Sequence, residues 1–121
     1  MRTINIKVND TDYEFICDSR GTRYGFAHDC HLMVDCVERA IAHCYYLDRT
    51  WERWDYQTVC IKAIDELINT LADRKKSQFK ADKGYKRMTA KRELEFNEIL
   101  KCSPDLHNLK VCKEQLQNNL Y

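Results

Sequence analysis

The alternation of apolar and polar residues predicts a β-hairpin at the start of the chain. Thr3–Val8 and Tyr13–Cys17 both alternate and are rich in β-branched or aromatic residues, and turn-forming residues separate them. With Asp10-Thr11 as the turn residues, Val8 faces Tyr13, and the apolar side chains of both strands share one side of the hairpin.

A second hairpin is predicted directly after the first. Residues 18–25 hold two of the three glycines and are expected to form a loop, after which Phe26–Val34 and Val37–Leu47 read as strands around a tight turn at Asp35-Cys36. A regular two-residue turn places His28 opposite His43, on the same face as Cys30.

The clearest helix signal follows the strands. Apolar residues recur at three- and four-residue intervals and end near Arg74, as they do in a helix with one buried face; they are Tyr56, Cys60, Ala63, Ile64, Leu67, Ile68 and Leu71. Because two hairpins alone are unstable in water, this helix is expected to cover the apolar face of a four-stranded antiparallel sheet. The predicted fold class is therefore α+β.

Two shorter helices are predicted near the end of the chain. Thr89 caps one that runs to Leu100, with Leu94, Ile99 and Leu100 as its apolar contacts, and Ser103-Pro104-Asp105 is a strong start for the other. The predicted organisation is a core of residues 1–74 and an extension of residues 75–121, which packs on or beside the core.

Charge is divided by region. Residues 74–92 carry nine Lys or Arg and one acid, whereas residues 1–73 carry eight bases and thirteen acids. The basic segment is expected to be exposed and partly irregular, and its interleaved Phe79 and Tyr85 suit contact with nucleic acid. The alternative is a solvated connecting segment. The candidate phosphate contacts are Lys75, Lys76, Lys80, Lys83, Lys86 and Arg87.

The composition of the chain indicates the cellular compartment in which the protein is expected. Hydrophobic residues make up 44% of the chain, but no run is long enough to cross a bilayer, and the N-terminus lacks an apolar signal region. We therefore expect a cytoplasmic protein. Its seven cysteines are odd in number, and in a reducing compartment they are expected to be either buried thiols or metal ligands.

Histidine and cysteine on the second hairpin form a candidate zinc site. His28, Cys30 and His43 share a face in the predicted register, and Cys17 or Cys102 could supply a fourth ligand. Zinc prefers imidazole and thiolate in a tetrahedral array. The alternative is a set of small core residues with two stacked imidazoles.

No catalytic motif stands out. His43 and Cys44 are neighbours on a strand and point to opposite sides, so they do not form a nucleophile–base pair. Trp51, Arg53 and Trp54, in contrast, are residue types that dominate protein–protein contacts, and the alternative is that one of the two Trp side chains packs in the core. An enzyme is therefore not expected.

The segment YYLDRTWERWDYQTVCIKAI (residues 45–64), with RYGFAH (residues 23–28) before it, resembles small uncharacterised proteins of phages and prophages of Gram-positive bacteria. The resemblance covers roughly the first 70 residues. Such small phage proteins include anti-CRISPR inhibitors, which bind an RNA-guided nuclease of the host.

The resemblance implies a stoichiometric inhibitor of a host defence nuclease. It would block DNA or guide binding through Trp51, Arg53 and Trp54 and the charged arm from Arg74 to Arg92. The rival hypothesis is a nucleic-acid-binding accessory or regulatory protein that uses the basic segment.

Overall fold

A computed structural model of the protein covers residues 1–23, 25–46 and 55–118, called the described residues below. Within them, four antiparallel strands form a sheet in the order β1-β2-β3-β4, followed by three helices, as the α+β prediction requires. The strands are β1 (Arg2–Val8), β2 (Thr11–Thr22), β3 (Gly25–Val34) and β4 (Val37–Tyr46), and the helices are α1 (Asp55–Lys83), α2 (Ala90–Lys101) and α3 (Pro104–Asn118).

The first hairpin turns at Asn9-Asp10. Both residues have positive φ, 48° and 68°, as a two-residue type I′ turn requires. Val8 consequently pairs with Thr11, not with Tyr13, so the predicted register is wrong by two residues. Because a shift of two keeps every side chain on its face, the predicted apolar side is still the buried one.

β2 is longer than predicted. It continues to Thr22 and pairs with β3 from Tyr13 opposite Val34 to Thr22 opposite Gly25. Most of the loop predicted for residues 18–25 is therefore wrong. The long neighbouring strand supplies a hydrogen-bonding partner to a segment whose own composition favours a turn.

The second hairpin turns at Asp35-Cys36 as predicted, again with positive φ, 48° and 67°. A bulge then follows, because Met33 pairs with Glu38 whereas Leu32 pairs with Ala40. Arg39 is the extra residue, and beyond it the register is displaced by one. The predicted pairing of His28 with His43 is therefore wrong.

The bulge reverses the faces of β4. Ala40, Ala42 and Cys44 pack toward the core, whereas Ile41 is 44% exposed and His43 lies on the opposite, outer face of the sheet. The β3 prediction is unaffected, and His28, Cys30 and Leu32 are buried. A single inserted residue has this effect because side chains alternate along a strand.

Helix α1 covers the inner face of the sheet, as predicted. Val59, Cys60, Ala63 and Ile64 are fully buried and belong to one core cluster with the inward side chains of the strands. The apolar period in the sequence is thus the face that packs on the sheet.

The helix does not end near Arg74. It runs to Lys83 through the first half of the basic segment, and Gly84 with φ 69° follows it, as is common after a helix C-terminus. The expectation of an irregular segment is wrong for residues 74–83. Lysine and arginine are good helix formers, so the segment extends a helix that packing has already nucleated.

Helix α2 begins after Thr89, whose side chain accepts a hydrogen bond from the Arg92 backbone, as predicted. Its buried residue is Phe96, whereas Leu94 and Ile99 are 68% and 48% exposed, so the predicted apolar contacts are wrong for those two residues.

Helix α3 begins at Pro104, as predicted, and buries Leu106, Leu109, Cys112 and Leu116. The last three belong to the core cluster, and Lys113 reaches Asp65 of α1 at 2.8 Å. None of the helices in the described residues combines the length and apolar character that crossing a membrane requires.

Candidate functional site: a buried thiol cluster and a basic helix junction

Three cysteines meet under helix α1. The β2–β3 register sets Cys17 opposite Cys30, and α1 places Cys60 above them. We call Cys17, Cys30 and Cys60 the thiol cluster. The Sγ atoms of Cys17 and Cys60 are 3.4 Å apart, all three sulfurs lie within 4.8 Å of one another, and all three residues are fully buried.

The thiols influence one another's ionisation. Hydrogen bonds from the Cys30 and Cys60 thiols lower the pKa of Cys17, and the charges of Arg2 and His28 act in the same direction. The hydrogen bond to Cys17 is the largest cause that raises the pKa of Cys30 and that of Cys60. Within the cluster, the pKa is therefore lowered at Cys17 and raised at Cys30 and Cys60.

A group of hydrogen-bonded polar side chains lies next to the thiol cluster, two residues away along β2 and along β3. Ser19 faces His28 across the strands, and its Oγ lies 2.6 Å from His28 Nδ1 and 2.8 Å from the Tyr56 hydroxyl. The His28 and Tyr56 rings are 5.1 Å apart. Tyr56 precedes Cys60 by one helical turn, so the same face of α1 contacts both groups.

The cluster has the chemistry of a metal centre. Tetrahedral zinc–thiolate bonds of about 2.3 Å separate two sulfurs by roughly 3.8 Å, close to the separation of Cys17 and Cys60. Three convergent thiols, one of which has its pKa lowered by its neighbours, could therefore bind a metal ion.

The structure brings together only part of the predicted ligand set. Cys30 and Cys17 are in the thiol cluster, and His28 is buried beside it. His43 lies on the outer face, where its Nδ1 is 2.5 Å from an Asp29 oxygen, and Cys102 is exposed after α2. The bulge in β4 is the reason that His43 is excluded.

Sequence reasoning missed Cys60. The residue belongs to the apolar period of α1, which correctly predicted the face that covers the sheet. A cysteine within that period must face the strands, so the period itself could have identified Cys60 as a candidate ligand.

The basic segment is only partly free of acidic partners. Lys75 lies 3.5 Å from Asp105, Lys76 2.7 Å from Glu93, and Lys83 3.4 Å from Glu95. Acidic residues of α2 and α3 thus neutralise three of the six predicted phosphate contacts.

The other three predicted contacts lie around the turn that joins α1 to α2, together with Lys91, and none of these four cations forms an ion pair with a described acidic residue: Lys80, Lys86, Arg87 and Lys91. We call these four residues the basic junction. Lys86, Arg87 and Lys91 are exposed, and Lys80 is half-buried. Arg74 is also exposed, but it lies six residues before Lys80 along α1 and lines a different surface.

Aromatic contacts fix the geometry of this turn. Phe79 is buried and packs its ring 5.5 Å from Phe96 and 5.7 Å from Tyr85, and the Arg92 guanidinium covers Tyr85 at 3.9 Å. Phe79 thus joins the two helices, and its ring is not available to stack on a base.

Trp51, Arg53 and Trp54 lie outside the described residues, as does Leu47, so their predicted roles stay predictions. No protein-family model, curated protein or solved structure matches this chain.

Proposed function

We propose that the protein is a non-catalytic binding protein that contacts the phosphates of a nucleic acid through the basic junction. The observation that carries this proposal is the set of four cations around one turn without acidic partners among the described residues, next to three lysines that are neutralised. Lysine and arginine bind phosphates largely by electrostatic attraction, so a cluster of this kind favours affinity without sequence specificity.

The test is binding of a labelled oligonucleotide, single-stranded and double-stranded, across a range of salt concentrations. The variant Lys86→Ala/Arg87→Ala/Lys91→Ala removes three exposed cations of the basic junction. We expect much weaker binding and a log–log salt dependence that is shallower by about 3 for duplex DNA.

The matched control is Lys7→Ala/Lys101→Ala/Lys110→Ala, which removes the same charge from exposed positions elsewhere. It should retain most of the affinity. Equal losses in both triple variants, or wild-type binding that does not respond to salt, would contradict the proposal.

A second candidate function is that of a phage-encoded inhibitor, which binds a defence nuclease of the host. The outer face of the sheet favours it, because Glu14, Asp18, Asp29 and Glu38 lie there on the strands, away from the described helices. An acidic face of this kind suits the basic nucleic-acid channel of an RNA-guided nuclease. Trp51, Arg53 and Trp54 are the further contacts that the resemblance implies.

Cleavage assays distinguish this candidate from the first. Purified protein in molar excess should stop DNA cleavage by an RNA-guided nuclease, and the basic-junction variant should inhibit as well as wild type if the acidic face is responsible. Unchanged cleavage across a panel of type II nucleases counts against an inhibitor.

We further propose that the thiol cluster binds a structural zinc ion through Cys17, Cys30 and Cys60. Zinc would supply a cross-link between β2, β3 and α1 that contributes to folding.

Metal content after purification without chelator tests this proposal. We expect about one equivalent of zinc in wild type and in the exposed-thiol control Cys102→Ser, and much less in Cys60→Ser. Cobalt substitution of the wild type should give sulfur charge-transfer bands. Wild-type protein without zinc, whose melting temperature is unchanged by EDTA, would leave only packing as the role of these thiols.

A further inference from the structure

A pocket of about 440 Å³ opens where the turn end of the sheet meets the middle of α1 and the start of α3. Its apolar side chains include Val34 of β3, Leu67 and Leu71 of α1, and Leu109 of α3. This volume falls in the range of small-molecule sites, which are commonly apolar with a few polar groups at fixed positions.

Two arginines line the same pocket. Arg39 is the extra residue of the β4 bulge, and Arg74 comes from the exposed side of α1. Bulges commonly re-aim a side chain next to a functional site, and here the bulge accompanies an arginine at the pocket. Neither guanidinium forms an ion pair or a hydrogen bond with any residue that the structure describes.

The three carboxylates of the pocket are already engaged. Asp35 accepts a hydrogen bond from the Asp12 backbone at 2.9 Å, Glu38 lies 2.5 Å from His31, and Asp105 lies 3.5 Å from Lys75. The pocket therefore offers two guanidinium groups whose hydrogen-bonding capacity is not taken up by these acids.

We propose that this pocket binds a small organic anion: a phosphate or carboxylate attached to an apolar ring. The guanidinium groups of Arg39 and Arg74 hold the anionic group, since their planar donor pairs match both phosphate and carboxylate oxygens. The leucines and Val34 contact the ring. The proposal is independent of the basic junction and of the thiol cluster.

Tyr13 also lines the pocket. Burial is the largest cause that raises its pKa to about 12, and the charges of Cys112, Asp105 and Asp35 act in the same direction. A tyrosine keeps its proton at neutral pH even at the ordinary pKa of about 10, so Tyr13 adds no negative charge to the pocket.

Four probe compounds test the anionic group and the apolar ring of the proposed ligand separately. 1-Naphthyl phosphate and 1-naphthoate carry a ring with either anionic group, inorganic phosphate lacks the ring, and 1-naphthalenemethanol lacks the charge. Titration calorimetry should show one equivalent of a ring-bearing anion bound, with the phosphate and carboxylate probes ranked by their affinities. Inorganic phosphate and the neutral alcohol should bind at least about tenfold more weakly.

Variants locate the site. Arg39→Gln and Arg74→Gln should each weaken binding of the better probe by about tenfold, whereas the outer-face control Arg20→Gln should leave it within about twofold. Thermal melting verifies that all three variants fold. The proposal is overturned if the alcohol binds as well as the anions, if Arg20→Gln matches the pocket variants, or if neither anion binds at about 1 mM.

Discussion

The two halves of α1 are stabilised by different kinds of interaction. In residues 55–71 the helix packs on the sheet, and Val59, Cys60, Ala63 and Ile64 are fully buried. In residues 72–83 the one buried side chain is Phe79, and lysines pair with acids of the neighbouring helices at or near the surface. Buried apolar area contributes far more than exposed ion pairs, so the first half supplies stability and the second half is free to carry charge.

The largest expected effect is in the first half. Ile64→Ala removes a fully buried side chain from the core cluster and should lower the free energy of unfolding by about 4 kcal/mol, because it leaves a cavity under the helix. Urea denaturation measures the change. The control Ile99→Ala, on exposed α2 surface, should change stability by less than about 0.5 kcal/mol. Equal effects of the two substitutions would show that burial does not distinguish these regions.

Phe79→Ala tests the second half. The substitution removes the aromatic contacts that join α1 to α2 and should cost about 3 kcal/mol in local stability. Hydrogen exchange should rise in α2 and in the last turns of α1, while β2 and β3 keep their protection. Faster exchange throughout the sheet would instead mean that both halves of the helix unfold as one cooperative unit.

The end of α1 gives a smaller effect. Gly84 has φ 69° and no atom within 4 Å of the position a Cβ would take, so only backbone conformation opposes a side chain. Gly84→Ala should therefore lower stability by about 1 kcal/mol. Gly84→Asn should cost less, because asparagine tolerates this conformation. Thermal melting of both variants measures the difference, and alanine that is as stable as glycine would contradict the strain argument.

The smallest effect concerns an ion pair of the outer sheet face. The hydrogen bond to His43 is the largest cause that lowers the pKa of Asp29. A lowered pKa stabilises the fold above the unfolded value of about 3.9, and this contribution disappears as pH falls through the folded value. Asp29→Asn should therefore be less stable than wild type near neutral pH, by less than about 1 kcal/mol, and the two should converge in strong acid. Urea denaturation from about pH 6 to about pH 2 measures this, with Asp73→Asn as the matched control; a gap that widens in acid would give the opposite sign.

The apolar periodicity of the sequence predicted the strands and helices better than it predicted which residues pair in the sheet. The four strands, the covering helix and the start of α3 all follow from local patterns of apolar residues and caps. The first register could not be decided locally, because Asn9, Asp10 and Thr11 all tolerate a turn. The error of two residues changed the partners and left the buried face intact.

The bulge in β4, in contrast, changed which side chains face the core and therefore which can reach the candidate metal site. Nothing in the sequence around Arg39 marks it as an inserted residue, yet it moved His43 to the outer face and brought Cys44 inward. Cys17, Cys30 and His28 could be found from strand alternation, and Cys60 from the helical period. The complete thiol cluster depends on how α1 docks on the sheet, which local patterns do not specify.

The basic segment shows a different limit. Its composition predicted an exposed charge, and part of it is exposed in the basic junction. The pairing of Lys75, Lys76 and Lys83 with α2 and α3 could not be predicted, because it depends on how the helices pack.

The irregularity in β4 also affects how the molecule meets its own copies. Among the described residues, β4 has a strand neighbour on one side only, and a long regular edge would be a template for intermolecular strand pairing. The inserted residue distorts the spacing of that edge, and Lys62 Nζ donates to the His43 carbonyl oxygen at 2.5 Å, so one acceptor is already occupied. The strand segment that displaced the histidine thus also makes this edge of the sheet a poorer template for strand pairing.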